Sequence, residues 1–192
     1  MKSLKLESYY KVQSNTGLIE GAHYIPSPNC DERPQGVVPE LIVVHNISLP
    51  PEQFGGPEIS QLFTNQLDLE ADPYFKGLEG LKVSAHALIR RDGELLQFVP
   101  FSQRAWHAGL SCFEGKQACN DFSIGIELEG SDHTVFTAAQ YEALAALIKG
   151  LWLAYPSLYK RKIVGHSDIA PGRKTDPGPF FIWESLNRLL ES

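Results

Sequence analysis

Residues 165–179 form the stretch of the chain in which chemically active side chains are most concentrated. One histidine, two aspartates, one arginine and one lysine share this stretch with three prolines and three glycines. Such a composition cannot continue a helix or a central strand, so the charged groups are expected on an irregular loop. Loops carried by a rigid scaffold often hold binding and catalytic groups. We predict that His166 and Asp176 bind a zinc ion and that Lys174 stabilises charge that develops beside it.

A zinc ion in a catalytic site takes three protein ligands from histidine and carboxylate groups and leaves a fourth position open for water. The third ligand is predicted at the end of a buried strand, because residues 41–44 are a continuous, β-branched apolar run that ends at His45. A second short strand, residues 162–165, leads directly into His166. Two such strand ends can meet at one edge of a sheet, and Asp176 can fold back from the loop to complete the set.

These residues also permit other interpretations. His45 is equally compatible with a core histidine whose ring nitrogens are satisfied by hydrogen bonds. Asp168 competes with Asp176 as the carboxylate ligand, although its place two residues from His166 favours a bond to its own backbone. The chain lacks the His-Glu-x-x-His pattern of helical zinc proteases. The spacing of these residues therefore leaves the ligand set undecided.

Residues 122–130 alternate strictly between apolar and small or polar side chains, which is the pattern of a strand with two different faces. Gly125 and Glu127 share one face, so the pattern leaves space above the glycine and places the carboxylate beside that space. A carboxylate on a strand is often only solvated, and this is the alternative for Glu127. Next to a metal ion, the same carboxylate is a candidate general base.

The remaining patterns predict the elements that must position these groups. Two β-rich runs, residues 83–90 and 95–99, are joined through an Asp-Gly pair and predict a hairpin. The helices predicted from apolar periodicity and capping signals are residues 58–68, 137–155 and 179–190. Because strands alternate with helices, the predicted fold class is mixed α/β, with a central mixed β-sheet flanked by helices.

Several further segments are predicted to surround the site. Residues 47–82 are a long excursion between two strands and are expected to form a wall or lid of a cleft. Trp106 and the histidine after it are suited to lining a pocket for a sugar or peptide, although Trp106 could instead pack against the sheet edge. His86 is expected to pack beside the site. Residues 1–40 contain many helix and strand breakers and predict an irregular surface arm, with one short strand near residues 9–12.

Composition restricts the class of protein. The 192 residues favour a single domain, residues 1–192, and the net charge of 17 − 23 = −6, without a run of Lys or Arg, argues against nucleic-acid and anionic-membrane partners. No apolar stretch reaches the ~18 residues of a membrane span, and the N-terminus lacks the apolar run of a secretory signal. Three cysteines without a Cys-x-x-Cys pair predict free thiols in a cytoplasmic, reducing compartment. A Cys112–Cys119 bridge is the alternative, and we expect a monomer.

Four segments together carry a resemblance to a known family, residues 41–51, 105–109, 120–130 and 165–178. They closely resemble the zinc amidases of the N-acetylmuramoyl-L-alanine amidase type 2 family. The resemblance extends over nearly the whole chain, from about Gly21 to the last predicted helix. It implies the fold that this family shares with peptidoglycan recognition proteins and phage-type amidases.

The resemblance also implies roles for individual residues. It makes His45, His166 and Asp176 the zinc ligands. It makes Glu127 the catalytic acid/base and Lys174 the group that stabilises the tetrahedral oxyanion. These are the same residues that the local patterns single out, so the two approaches predict one site.

The positions that resemble the wall holding the peptide stem in the family are Asn46, Trp106, Ala170 and Arg173. Phage-type members carry a tyrosine near the acid/base position and a cysteine as the third ligand. This chain has Ala85 and Asp176 at the corresponding positions. The subgroup that uses a glutamate is therefore the relevant comparison.

The function that the resemblance implies is zinc-dependent hydrolysis of a muropeptide during peptidoglycan recycling. The bond would be the amide between the lactyl group of (1,6-anhydro)-N-acetylmuramic acid and L-alanine, with Zn²⁺ as cofactor and the small muropeptide as the only partner. The alternative is a non-catalytic muropeptide-binding module of the same fold, which typically lacks the third ligand. Asp176 and Lys174 favour the enzyme. A structural zinc site is disfavoured, because such sites carry four ligands, mostly cysteine.

Overall fold

The computed structural model describes residues 9–158 and 162–192. The predicted absence of a secretory signal and the start of the predicted arm fall on residues 1–8, which lie outside the described residues. The strands, in chain order, are β1 (Val12–Gln13), β2 (Leu18–Ile19), β3 (His23–Tyr24), β4 (Cys30–Asp31), β5 (Leu41–Ile47), β6 (Ala87–Ile89), β7 (Leu95–Gln97), β8 (Arg104–Ala105), β9 (Cys112–Phe113), β10 (Lys116–Gln117), β11 (Ser123–Glu129) and β12 (Ile163–Gly165). The helices are α1 (Glu58–Phe63), α2 (Ala138–Ala154), α3 (His166–Ile169) and α4 (Trp183–Glu191), with 3₁₀ turns at Pro73–Leu78, Cys119–Asp121 and Pro156–Leu158.

Six strands form the central sheet, in the order β12-β5-β11-β6-β7-β3. β5 pairs in parallel with β12 and with β11, and β11 pairs in parallel with β6. The antiparallel β6–β7 pair is the predicted hairpin, although both strands are shorter than the predicted runs. Its turn contains Gly93 at φ +91°, a conformation that glycine adopts without strain. The predicted class, a mixed sheet flanked by helices, is confirmed.

The two faces of β5 and β11 have different neighbours, because successive side chains of a strand point to opposite faces. Val44 and Ile126 belong to the apolar cluster to which α2 also contributes. His45 and Glu127 follow these residues and therefore point to the other face of the sheet. The register of the parallel β5–β11 pair sets Glu127 opposite His45. The backbone ladder thus places the predicted acid/base beside a predicted ligand.

Helix α2 covers the apolar face of the sheet. It begins with the predicted capping box, in which Thr137 Oγ1 accepts from Gln140 N at 3.1 Å and Gln140 Oε1 accepts from Thr137 N at 3.1 Å. Leu144, Ile148 and Leu151 on its inner side are fully buried. Within residues 9–158 and 162–192, no helix is long and apolar enough to cross a membrane.

Helix α1 is shorter than predicted and ends at Phe63, five residues before the expected end at residue 68. Two residues later Asn65 adopts φ +58°, a left-handed conformation that an α-helix cannot include. The apolar face was predicted correctly as far as the helix extends, since Ile59, Leu62 and Phe63 are buried.

Helix α4 begins at Trp183 and not at residue 179 as predicted. The preceding residues are held outside the helix by tertiary contacts. The backbone N–H of Ile182 donates to the hydroxyl of Tyr141 at 2.6 Å, and the buried ring of Phe181 lies edge-on to Trp183. Docking of Phe181 into the core therefore delays the start of the helix.

The described part of the arm, residues 9–40, is more regular than predicted. β3 extends the sheet by pairing with β7, β1 pairs with β2, and β4 pairs with β8. The strand expected near residues 9–12 is β1, which starts at Val12. The Arg33 guanidinium donates to the carbonyls of Asp121 at 2.8 Å and Ser123 at 2.9 Å. The arm is thereby fixed to the start of β11.

Candidate metal centre and catalytic cleft

Three side chains from separate parts of the chain meet at the carboxyl edge of the parallel strands. His45 lies near the end of β5, His166 opens α3 directly after β12, and Asp176 lies ten residues further along the loop. His45 Nδ1 lies 3.0 Å from His166 Nδ1 and 3.0 Å from Asp176 Oδ2, and His166 Nδ1 lies 3.1 Å from the same oxygen. The structure therefore brings the predicted ligand trio together.

The donor set fits a zinc ion. Tetrahedral donors ~2.0–2.1 Å from a zinc ion lie ~3.3 Å apart, close to the separations observed here. Two imidazole nitrogens and one carboxylate oxygen are a typical catalytic set that leaves a fourth position open. The same three residues are the group of potential metal ligands that converges within the described residues.

The loop between His166 and Asp176 is closed by backbone contacts. Ser167 N donates to Asp176 O at 3.0 Å, which returns Asp176 to the start of α3. A side chain at Gly165 would come within 2.7 Å of Pro177 Cδ, so this close approach requires glycine. Asp168 Oδ2 accepts from Gly165 N at 2.7 Å, so Asp168 bonds the backbone as predicted and is not part of the trio.

Local electrostatics favour the protonation states that a metal requires. Burial lowers the pKa of His45, an effect that Asp176 partly offsets, so the ring is neutral with a nitrogen lone pair available. Burial alone would raise the pKa of Asp176, but the contacts with His166 and His45 outweigh it and hold the pKa below its usual range. Neutral imidazole and ionised carboxylate are the forms that bind metals.

Glu127 is half-buried beside the trio. Its Oε2 atom is buried and makes no hydrogen bond to any residue that the structure describes. Burial raises the pKa of Glu127 well above its ordinary value, the charge of Asp176 raises it further, and Lys174 opposes the shift. A carboxyl group with a raised pKa holds its proton more readily, which suits it to general acid/base catalysis.

These residues line a cleft of about 610 Å³. Residues of the predicted 47–82 wall, among them Leu49, Tyr74 and Leu81, form one side of it. Lys174 also lines the cleft and is exposed, on the loop that carries Asp176. The arrangement provides a metal-binding cluster, an acid/base and a cation around one open space, which is the equipment of a metal-assisted hydrolase.

Comparison with known proteins agrees with this chemistry. A family model described as N-acetylmuramoyl-L-alanine amidase matches residues 35–179. The chain belongs to this family. The 1,6-anhydro-N-acetylmuramyl-L-alanine amidase AmpD of Escherichia coli (strain K12) is 57% identical over 174 residues, which are 91% of this chain and 94% of AmpD. The predicted family and enzyme class, an N-acetylmuramoyl-L-alanine amidase, are confirmed.

Solved structures support the same assignment. The crystal structure of a selenomethionine derivative of AmpD superimposes with a TM-score of 0.89 at 53% identity, covering 93% of this chain and 98% of that chain. AmiD from E. coli, solved with anhydro-N-acetylmuramic acid-L-Ala-D-γ-Glu-L-Lys, gives a TM-score of 0.56 at 30% identity, covering 82% of this chain and 60% of that chain. The predicted amidase fold is therefore confirmed.

Of the four positions predicted to hold the peptide stem, three line the cleft. Asn46 lines the cleft and donates from Nδ2 to Asp132 Oδ1 at 2.8 Å. Trp106 and Arg173 also line the cleft, and Arg173 Nη2 donates to the carbonyls of Ala108 and Leu110 at 2.6 Å each. The remaining position, Ala170, is buried at the end of α3 and is not among the cleft-lining residues.

His107 lines the cleft together with Trp106, as predicted, but its contact with a candidate ligand was not predicted. The space expected above Gly125 is occupied by its ring, since a Cβ at Gly125 would lie 2.4 Å from His107 Cγ. His107 Nδ1 lies 2.9 Å from His45 Nε2, and His107 Nε2 lies 3.1 Å from Ser123 Oγ. The only hint in the sequence was the space predicted above Gly125. That the ring of His107 fills this space is shown by the structure.

His86 packs beside the amidase site, as predicted. Its Nδ1 accepts from Gly125 N at 3.0 Å and its Nε2 lies 3.1 Å from Gln103 O. Burial lowers the pKa of His86 to about 3, which keeps the ring neutral. It therefore supports the strand beneath His107 and is not one of the converging ligands.

Proposed function

We propose that this protein is a zinc-dependent amidase that hydrolyses the amide between the lactyl group of 1,6-anhydro-N-acetylmuramic acid and L-alanine in muropeptides released during peptidoglycan recycling. The observation that carries the proposal is the convergence of His45, His166 and Asp176 in a cleft next to the unpartnered carboxyl group of Glu127. The substrate class is supported by AmpD, whose name specifies the 1,6-anhydro sugar.

In this proposal His45, His166 and Asp176 hold the zinc ion, which supplies a Lewis acid for a water molecule and for the scissile carbonyl group. Glu127 accepts a proton from the attacking water, whose oxygen bonds to the carbonyl carbon. Glu127 then gives this proton to the nitrogen of L-alanine as the C–N bond breaks, so a carboxylic acid and a free amine are produced, and the acid then releases its remaining proton to solvent. The raised pKa of Glu127 suits it to holding the proton between the two steps.

Lys174 is proposed to stabilise the oxyanion that forms on the carbonyl oxygen. It is exposed on the cleft, and its charge reaches the site, since it contributes to the lowered pKa of His45 and opposes the rise in the pKa of Glu127. A donor directed at a developing oxyanion contributes about 10²–10³ in turnover. The cation therefore acts where negative charge develops.

The wall residues are proposed to bind the peptide stem. The half-buried ring of Trp106 offers an apolar surface, and Asn46 offers an amide fixed by Asp132. Arg173, held at the rim by two backbone carbonyls, is suited to pairing with a stem carboxylate. Ala170 would act through its backbone carbonyl, which accepts from Lys174 N at 3.1 Å and so shapes the loop.

We also propose that residues 1–192 form one domain that works as a cytoplasmic monomer. One sheet that connects strands from β3 to β12 supports the single domain. The three cysteines are free, so the alternative Cys112–Cys119 bridge is not formed. Free thiols are typical of a reducing compartment, which supports a cytoplasmic location.

The test combines zinc content with mass spectrometry of an anhydro-muropeptide incubated with the protein. The parent is expected to retain zinc on dialysis and to release a free peptide that begins with L-alanine. Asp176→Ala is expected to lose both properties, because it removes one of three ligands. Asp168→Ala removes the neighbouring carboxylate that bonds the backbone and is the matched control, so it should retain zinc.

Full zinc retention and full turnover in Asp176→Ala would overturn the ligand assignment. Tight binding of the anhydro-muropeptide by the parent without release of any peptide would instead establish the alternative, a muropeptide-binding module.

A further inference from the structure

The two histidines of the candidate metal centre differ in the group that their Nε2 atom contacts. His166 Nε2 lies 3.1 Å from the carbonyl oxygen of Ala108. A carbonyl can only accept, so the hydrogen of His166 is on Nε2 and its Nδ1 is left for a metal. His45 Nε2 faces another imidazole, His107 Nδ1, at 2.9 Å. A neutral imidazole nitrogen can either donate or accept, so this contact alone does not fix the tautomer of His45.

The contacts behind His107 resolve the ambiguity. Ser123 Oγ donates its single hydrogen to the carbonyl oxygen of Cys119 at 2.5 Å. Ser123 Oγ must therefore accept in its contact with His107 Nε2 at 3.1 Å. Ser123 thus selects the Nε2–H tautomer of His107, in which Nδ1 is an acceptor and takes the Nε2–H of His45. The lone pair of His45 Nδ1 is then directed at Asp176 and His166.

The position of the His107 ring is also fixed, by contacts with Asn120 and Gly125. His107 N and Ala108 N both donate to Asn120 Oδ1, at 3.1 Å and 2.8 Å. The ring itself lies against Gly125, where a Cβ would be only 2.4 Å from Cγ. Both the orientation and the hydrogen-bond polarity of His107 are therefore set by groups that belong to the fold.

We propose that His107 and Ser123 are positioning residues that fix the tautomer and the orientation of His45 and so present its Nδ1 to the metal. The proposal rests on the zinc site of the proposed function. Hydrogen-bond partners behind metal ligands orient them and raise their basicity, and their loss typically weakens metal binding by about 10–100-fold. The hydrogen bonds from Cys119 O through Ser123 and His107 thus fix the tautomer of His45. Ala108 O fixes the tautomer of His166 directly.

The test measures the zinc dissociation constant by chelator competition. His107→Leu removes the acceptor and is expected to weaken zinc binding by about 10–100-fold. His107→Asn provides an amide oxygen that can accept from His45, and it should recover most of this loss. Ser123→Ala leaves His107 in place without its partner, and a loss of about 10-fold is expected.

Ser27→Ala is the matched control for Ser123→Ala. The hydroxyl of Ser27 is also buried, donates to a carbonyl oxygen, Phe63 O, at 2.5 Å and accepts from Asn29 N at 3.1 Å. It is not connected to the candidate ligands, so its loss should leave the zinc dissociation constant unchanged. A purely structural effect of losing a buried hydroxyl would lower zinc affinity in both variants.

A second readout uses ring-nitrogen NMR spectra of the zinc-loaded parent and needs no variant to fold. His107 is expected as the Nε2–H tautomer, with Nδ1 unprotonated. A His107 that carries its hydrogen on Nδ1, or unchanged zinc affinity in both His107→Leu and Ser123→Ala, would overturn the proposal. Failure of the parent itself to bind zinc would instead overturn the proposed function, so the two failures are distinguishable.

Discussion

Glu127 and Glu129 lie two residues apart on the same face of β11, yet they differ in the hydrogen bonds that their carboxyl groups accept. Glu129 Oε1 accepts from Arg90 Nη1 at 3.0 Å and from Gly55 N at 2.6 Å, and its Oε2 accepts from Arg91 N at 3.2 Å. Glu127 has a buried oxygen without a hydrogen-bond partner among the described residues. One carboxylate is fully satisfied and the other is not.

The difference separates a structural role from a chemical one. Glu129 ties Gly55 of the 47–82 wall to the sheet, and a buried ion pair with complete hydrogen bonding is compatible with such an anchor. A buried carboxyl oxygen without a hydrogen-bond partner lowers the free energy of unfolding, so its presence calls for a functional explanation. Groups with strongly perturbed pKa values cluster at functional sites, and Glu127 fits that pattern.

The largest effect is expected from Glu127→Gln. Because the amide cannot take a proton from water, turnover of an anhydro-muropeptide should fall by about 10²–10⁴-fold. Thermal stability should be retained or should rise, since a buried ionisable group is replaced by a neutral one of the same shape. Steady-state kinetics and thermal unfolding of the same preparation check both points, and unchanged turnover would remove Glu127 from the reaction.

The same substitution at the neighbouring position, Glu129→Gln, should act on stability. It removes the buried negative charge that is paired with the guanidinium of Arg90, and we expect the free energy of unfolding to fall by about 2–3 kcal/mol. Turnover per folded molecule should stay near that of the parent. Urea denaturation together with active-site-normalised kinetics measures the two quantities; a large loss of turnover with intact stability would contradict the comparison.

The smallest effect is a pH dependence in metal-free protein. The pKa of Glu127 is raised above its ordinary value of 4.5, so its contribution to stability is fully present below that pH and is lost as the pH rises through the raised pKa. Glu127→Gln lacks this loss. Its free energy of unfolding relative to the parent should therefore increase with pH above about 4.5. Urea titrations at several pH values with a chelator present test this, and a constant difference would argue against the shift.

The sequence predicted those parts of the site that depend on strand pattern. The apolar run before His45 predicted a buried strand that ends at the site, and the alternation around Glu127 assigned the two faces of β11 before its pairing was known. The choice of Asp176 over Asp168 was not available from spacing alone. The family resemblance made that choice, and the backbone contact between Ser167 and Asp176 shows how the loop returns Asp176 to the site.

What the sequence could not predict depends on contacts between distant segments. His107 reaches His45 only because Gly125 leaves room for its ring, and nothing local to residue 107 reports that neighbour. The early end of α1 follows from the left-handed conformation of Asn65, and the late start of α4 follows from the docking of Phe181. For His107 and for α4, tertiary packing decides what the local sequence does not.

The parallel ladder between β5 and β11 has a consequence for how this enzyme can diversify. Seven consecutive pairs, from Ser123 with Leu41 to Glu129 with Ile47, fix the spacing of Glu127 and His45 through the main chain. The 47–82 wall leaves from the end of that ladder and contributes none of the converging metal ligands. Insertions or replacements in the 47–82 wall therefore alter substrate selection while the spacing of Glu127 and His45 stays constant. The same catalytic groups can thus serve clefts of different shapes.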